Sequence, residues 1–215
     1  MRLYVDTADG HAITQAAATG FVFGVTTNPT LLRRASVRRT DLAPLVQTAA
    51  HAGLREIHLQ VFSADAAAMV VDARMLYALD PRHVVVKIPA TAAGFRAAHE
   101  LREEMPITIT AVFTARQALL AGIVGARYAA VYLGRLRDAG QDAAAALTGM
   151  LAAVRAQQMD VRLLIASVRE ASDVEMLAQL GIPAVTLPPA LLLALPDAAG
   201  TAQAVQAFQD DIGHL

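Results

Sequence analysis

His83-Val84-Val85-Val86-Lys87-Ile88-Pro89-Ala90-Thr91 carries the one lysine of the chain at the end of an aliphatic run. The other 17 of the 18 basic residues are arginines (18 less Lys87). Three valines before the lysine and Ile88-Pro89 after it predict a strand buried on both faces. A lysine there keeps its ammonium out of water, which is costly unless the charge is paired or the pKa falls. A desolvated lysine of lowered pKa is a nucleophilic amine, the group that forms Schiff bases with carbonyl substrates. The bland reading has Lys87 snorkelling from a strand end in a chain whose genome favours arginine. Genome bias accounts for the arginines, but not for the surviving lysine standing in the most apolar strand.

Working outward from Lys87, short aliphatic runs alternate with alanine-rich helical segments along all 215 residues. Strands are predicted at Leu3–Asp6, Phe23–Thr26, Glu56–Phe62, His83–Ile88, Ile107–Ala111, Tyr128–Leu133, Val161–Ser167 and Pro183–Leu187. Helices are predicted near Ala8–Thr19, Thr40–Ala52, Ala64–Leu79, Gly94–Glu103, Ala115–Val124, Asp138–Gln158 and Ser172–Leu180, with a closing pair at Ala190–Leu195 and Asp197–Asp211. Strands alternating with helices imply a parallel sheet, and the count of eight implies closure into a single (β/α)8 TIM barrel with an extra C-terminal helix. A doubly wound open sheet is the alternative; the chain has no G-x-G-x-x-G after a strand to favour it. No linker or composition shift divides the chain, so residues 1–215 are expected to form one barrel domain.

One parity of these strands is aliphatic: Leu3 and Val5, Ile57, Leu59 and Val61, Val84, Val86 and Ile88, Ile107 and Ile109, Ala129, Val131 and Leu133. Those positions pack outward on the helices. The opposite parity carries Asp6, His58, Gln60, Lys87, Thr108, Thr110 and Tyr132, most of them late in their strands, where the catalytic mouth of such a barrel lies. A polar plug of mutually bonded side chains would account for all of these except a buried amine.

Asp6 is expected at the mouth near Lys87, as counter-ion or proton shuttle; its other reading is a cap for the following helix. In Gly24-Val25-Thr26-Thr27-Asn28-Pro29-Thr30, Thr26 and Asn28 offer a hydroxyl and an amide to substrate hydroxyls, and Pro29 opens the next helix. Arg135, Ser167 and Arg169 follow strands six and seven, where two guanidiniums and a hydroxyl suit a phosphate dianion.

Composition narrows the partners. Hydrophobic residues make up 55 % and charged residues 17 % of the chain, with a formal charge of -1. Such a chain has no field to attract nucleic acid or an acidic membrane surface. Zero cysteines fit a cytoplasmic location and remove thiol and cysteine–metal chemistry. The six histidines show no paired ligand spacing, so no catalytic metal is expected. A mean hydropathy of +0.43 points to apolar surface buried between subunits.

Val5-Asp6-Thr7-Ala8-Asp9, Gly24 to Pro29 and Val85-Val86-Lys87-Ile88-Pro89 together resemble the short transaldolase family, which includes fructose-6-phosphate aldolase. The resemblance continues through Thr110-Ala111-Val112-Phe113, Tyr132-Leu133-Gly134-Arg135 and Ala166-Ser167-Val168-Arg169. It implies a class I aldolase barrel with Lys87 as the Schiff-base lysine, Asp6 as the proton-transfer acid and Asn28 as a substrate-binding asparagine. It further implies that Arg135, Ser167 and Arg169 bind phosphate, that no cofactor is needed, and that substrates are sugar phosphates. Transaldolases of the family tend to carry Glu, Ser and Phe where this chain has Gln60, Ala130 and Tyr132, which match the aldolase subgroup. Tyr132, Gln60 and Thr110 could orient one water that protonates the enamine. Val131 and Leu133-Gly134 depart from that subgroup, the latter leaning toward transaldolase wording. A transaldolase and a non-catalytic sugar-phosphate binder are therefore the rival readings. The resemblance also implies a homo-oligomer, pentamer or decamer, with residues 197–215 docking on a neighbouring subunit.

Overall fold

The computed structural model describes residues 1–214. Eight parallel strands close in sequence order: β1 Arg2–Asp6, β2 Val22–Thr26, β3 Glu56–Gln60, β4 Val84–Pro89, β5 Ile107–Val112, β6 Tyr128–Tyr132, β7 Arg162–Ala166 and β8 Ala184–Leu187. β8 returns to β1 with Arg2 opposite Ala184 and Val5 opposite Leu187. This is a (β/α)8 barrel. The helices around it are α1 Gly10–Ala18, α2 Pro29–Arg34, α3 Leu42–His51, α4 Ala66–Tyr77, α5 Ala92–Leu101, α6 Ala115–Ile123, α7 Leu133–Asp138, α8 Ala143–Ala156, α9 Ala171–Gln179, α10 Pro189–Leu193 and α11 Ala199–Ile212.

The strand parities behave as predicted. Val5, Ile57, Leu59, Val84, Val86, Ile88, Ile107 and Ile109 join one apolar layer shared with the helices. Tyr4, Val85, Tyr128, Ala130, Leu164 and Ala184 form a second, smaller cluster inside the barrel. Burying a branched aliphatic side chain contributes roughly 1.5–3 kcal/mol, so this outer layer dominates the stability.

Local signals start the helices where the strands stop. The side chains of Asp9, Asn28, Asp65, Thr91, Thr114 and Asp142 each accept a backbone N–H at a helix N-terminus. Each such cap is worth about 1 kcal/mol. Pro29 occupies the first turn of α2, where its missing N–H costs nothing.

Several boundaries differ from the sequence reading, such as the end of strand three, expected at Phe62 and found at Gln60, and two differences bear on the site. Strand six ends at Tyr132, and Leu133 is the first residue of α7 instead of the last of a strand. The predicted Asp138–Gln158 helix is α8, which starts only at Ala143, and a short helix that the sequence reading lacks, α7, precedes it. Gly140, at φ 70°, takes the left-handed conformation that stops α7, and Asp142 caps α8 by accepting from Ala145 N at 3.0 Å.

The extra C-terminal helix is α11, and every one of its residues is exposed. Val205, Phe208 and Ile212 are 46 %, 63 % and 65 % exposed. Among the described residues no helix is long and apolar enough to cross a membrane.

Candidate active site

The C-terminal ends of the strands open into a cavity of about 780 Å³. All eleven residues assigned from the sequence line it: Asp6, Thr26, Asn28, Gln60, Lys87, Thr110, Ala130, Tyr132, Arg135, Ser167 and Arg169. They arrive from β1 to β6 and from the segments that follow β2, β6 and β7, so closure of the barrel brings them together.

Lys87 is only 5 % exposed, and its register neighbours are Gln60 on β3 and Thr108 on β5. Its Nζ donates to the backbone carbonyl of Thr27 at 2.6 Å. Among the described residues no carboxylate lies within ion-pair distance of it. Burial pulls the Lys87 pKa down, and the opposing charge of Asp6 restores only part of it. Asp6 moves the other way: burial raises its pKa against the pull of Lys87 and of the Thr26 hydroxyl. The two displacements run toward each other, easing proton exchange between the amine and the acid, which suits imine chemistry.

Asp6 is not a helix cap, since Asp9 does that work by accepting from His11 N and Ala12 N. Instead Asp6 Oδ1 accepts from the Thr26 hydroxyl at 2.7 Å, and Thr26 lies 2.6 Å from Thr186 Oγ1. Because Thr26 spends its one proton on Asp6, Thr186 donates to it. Asn28 caps α2 through Oδ1, which accepts from Leu31 N at 3.0 Å. That bond commits the amide oxygen and leaves the amide N–H groups as donors on the cavity wall.

Across the mouth, Tyr132 Oη and Thr110 Oγ1 lie 2.8 Å apart. The Tyr132 ring meets Phe113 edge-on and carries Arg135 over its face, with the guanidinium carbon 4.8 Å from the ring centroid. Gln60 lines the same cavity but bonds to neither, so two of the three predicted water-holding groups are in contact and the third stands apart. Ala111, next to Thr110, has φ 59° where the register of β5 against β6 shifts, a bulge that re-aims the strand end.

At the far end, Gly134 N donates to Ser167 O at 3.0 Å, and Ser167 has φ 60°. A Cβ at Gly134 would lie 2.7 Å from both the Ser167 carbonyl oxygen and Oγ, so only glycine fits. This contact brings Arg135 on α7 beside Ser167 and Arg169. Arg169 is gripped by Asp138 through two bonds of 2.8 and 2.6 Å. Arg137 donates to the buried carboxylate of Asp173 at 2.6 Å, and Asp173 also accepts from Arg169 N and Glu170 N. Burial works against ionisation of Asp173, but Arg137 and these backbone bonds keep its pKa low.

Beneath Lys87 the barrel holds groups that sequence reasoning did not assign. Glu56 Oε2 accepts from Tyr4 Oη at 2.7 Å, Tyr128 Oη at 2.9 Å and His58 Nε2 at 3.2 Å. Arg127 and Arg2 face its other oxygen at 3.4 and 3.6 Å. Burial would raise the Glu56 pKa, yet the His58, Tyr4 and Tyr128 bonds bring it down to about 2. His58 Nδ1 sits 3.0 Å from Thr108 Oγ1, and burial lowers the histidine pKa against the attraction of Glu56. The signal for this group was the inward parity of Tyr4, Glu56, His58 and Tyr128, visible in the strand pattern. Thr27, which holds the lysine through its backbone, left no such signal.

Comparison with known proteins agrees with this geometry. Residues 3–214 match the family model described as Transaldolase/Fructose-6-phosphate aldolase. A probable transaldolase of Syntrophobacter fumaroxidans is 35 % identical over 87 % of this chain and 86 % of its own. One from Pelotomaculum thermopropionicum is 34 % identical over 98 % of this chain and 97 % of its own. Among solved structures, a mandelate oxidase shares the fold at a TM-score of 0.63 and 18 % identity, over 90 % of this chain and 67 % of that one. With a buried lysine at the end of β4 and a family match across nearly its whole length, the chain belongs to the transaldolase/fructose-6-phosphate aldolase family.

Proposed function

We propose that the protein is a Schiff-base aldolase that makes or breaks the C–C bond between a dihydroxyacetone unit and an aldehyde such as glyceraldehyde 3-phosphate. The observation that carries this reading is Lys87: a buried amine of lowered pKa, free of any ion pair among the described residues, at the base of a polar cavity. Neutral Lys87 attacks the ketone carbon, and the carbinolamine hydroxyl takes the Asp6 proton and leaves as water, giving an iminium and an Asp6 carboxylate. The C3–C4 bond then breaks with its electron pair passing to the iminium, while Asp6 takes the proton of the C4 hydroxyl. The product aldehyde leaves, and a water on the Tyr132–Thr110 pair protonates the enamine at C3. Hydrolysis of the resulting iminium returns the amine and releases dihydroxyacetone. Arg135, Ser167 and Arg169 anchor the aldehyde phosphate, with Thr26, Asn28 and Ala130 shaping the donor side. The steps need no cofactor or metal, and they suit a cytoplasmic enzyme.

Borohydride added with dihydroxyacetone should place one mass increment on Lys87. An intact-mass spectrum without an adduct would remove the mechanism.

A second reading, transaldolase, has specific support in the relatives named probable transaldolases and in Leu133-Gly134. Gln60, Ala130 and Tyr132 support the aldolase. Release of free dihydroxyacetone from fructose 6-phosphate without an acceptor aldehyde decides between them. Phosphate-ester binding without turnover would instead favour a sugar-phosphate binder.

The exposed apolar residues of α11 support a homo-oligomer in which that helix docks on a neighbouring copy, and the family resemblance implies a pentamer or decamer. Truncation after Pro196 should lower the solution mass.

A further inference from the structure

The bond that holds Lys87 has a supporting structure of its own. The acceptor is the carbonyl of Thr27, a residue with no exposed surface. Thr27 is fastened twice to one atom: its N–H and its hydroxyl both donate to the His58 carbonyl oxygen, at 3.1 and 2.8 Å. His58 is fastened in turn through its side chain, between Glu56 and Thr108. Glu56 is ionised and only accepts, so the histidine proton sits on Nε2 and Nδ1 accepts from Thr108. Thr108 is the register neighbour of Lys87 itself. A continuous line of bonds therefore runs from Glu56 through His58 and Thr27 to the amine, and all of its members are buried.

A lysine side chain has four flexible torsions, and an amine left to wander loses attack geometry quickly; about 1 Å of misplacement can cost on the order of 100-fold in rate. A neutral amine that donates one N–H to a fixed carbonyl keeps its lone pair for the substrate. We propose that Thr27 is the positioning residue for Lys87. Its hydroxyl bond to the His58 carbonyl fixes the backbone carbonyl that holds the amine, and the Glu56–His58–Thr108 group anchors that bond. The proposal rests on reading Lys87 as the Schiff-base amine. It extends that reading to residues that touch no substrate.

Thr27→Val keeps the side-chain shape and removes the hydroxyl; Thr27→Ser restores the hydroxyl. Asp6 on β1 and His58 on β3 interact with the Lys87 charge, Tyr132 on β6 lines the same cavity, and both variants leave all three in place. Because the chain has one lysine, 13C-labelled lysine gives one ε-carbon resonance, whose titration reports the amine without any substrate. A fixed acceptor favours the ammonium, so in Thr27→Val the titration midpoint should fall by about 0.5 pH. The rate of borohydride trapping with dihydroxyacetone should fall about tenfold in the same variant, with little change in the concentration needed for half-maximal trapping. Thr27→Ser should match the wild type within about twofold in rate and show an unmoved midpoint. A Val variant that titrates and traps like the wild type would overturn the proposal, as would a Ser variant as impaired as Val. A wild type that never traps dihydroxyacetone removes the Schiff-base reading alone, and the titration still decides the role of Thr27. Should Thr27→Val fail to fold, Thr27→Ala supplies the same comparison.

Discussion

The two ends of the barrel interior are built from the same inward parity and many of the same residue types, yet they are finished differently. At the floor, Glu56 accepts three hydrogen bonds and faces two arginines, so its charge is fully answered. At the mouth, Lys87 has one backbone acceptor, and its nearest acid drifts toward neutrality. A polar plug and the proposed reactive site therefore coexist in one strand pattern, separated by little more than the height of His58 and Thr108. Satisfied polar groups lower the energy of the fold, whereas a charge left partly unanswered stores the reactivity.

The sharpest way to break this contrast is Lys87→Met, which should abolish dihydroxyacetone trapping and lower turnover on the order of 10³-fold or more while the circular-dichroism spectrum stays native. Undiminished turnover would make the mouth a second plug. Next comes Glu56→Gln, which strips the floor of its charge. It should cost about 2–4 kcal/mol of unfolding free energy in denaturant titrations, since arginines and a histidine lose their partner. Turnover per folded molecule should change far less, and an inverse result would place chemistry at the floor.

Smaller again is Tyr132→Phe. Removing the oxygen bonded to Thr110 should slow acceptor-independent release of dihydroxyacetone about tenfold or more and spare transfer to an added aldehyde. Equal loss of both would deny Tyr132 a role in enamine protonation.

The smallest effect is pH-linked. His58 has a lower pKa folded than its unfolded value of about 6.5, so between those two values the unfolded chain binds the extra proton. Its contribution is present above about pH 6.5 and is lost as the pH falls toward the folded pKa, with a slope of at most about 1.4 kcal/mol per pH unit. Melting curves of His58→Phe should lose that acid-side slope relative to the wild type. Parallel curves would mean that His58 titrates alike in the folded and unfolded chain.

How far the sequence reveals this arrangement depends on what each residue contributes. Asp6, Lys87, Thr110 and Tyr132 were legible because a side chain on the inner parity late in a strand has only the mouth to face. The barrel itself was legible because aliphatic runs and capped alanine-rich segments repeat eight times. Thr27 was not, because its contribution is a carbonyl that every residue possesses. Glu56 was passed over because a carboxylate at the start of a strand ordinarily meets solvent, and only closure of the barrel puts two tyrosines and a histidine around it. The short α7 was not legible because Leu133 continues the aliphatic run of strand six, and the later start of α8 turns on Gly140 in a left-handed conformation.

The close approach at Gly134 bears on how the range of accepted aldehydes could be changed. Since no Cβ fits between α7 and the Ser167 backbone, the segments carrying Arg135, Ser167 and Arg169 move as one piece. Substitutions meant to lengthen the cavity from that side must break this junction before they gain any space. The opposite wall has no comparable contact: Pro29, Thr30 and Arg34 line the cavity from α2 with their side chains exposed. If the proposed aldolase reading holds, room for a longer or differently charged acceptor is to be found by redesigning α2, while the end carrying Arg135, Ser167 and Arg169 keeps its shape.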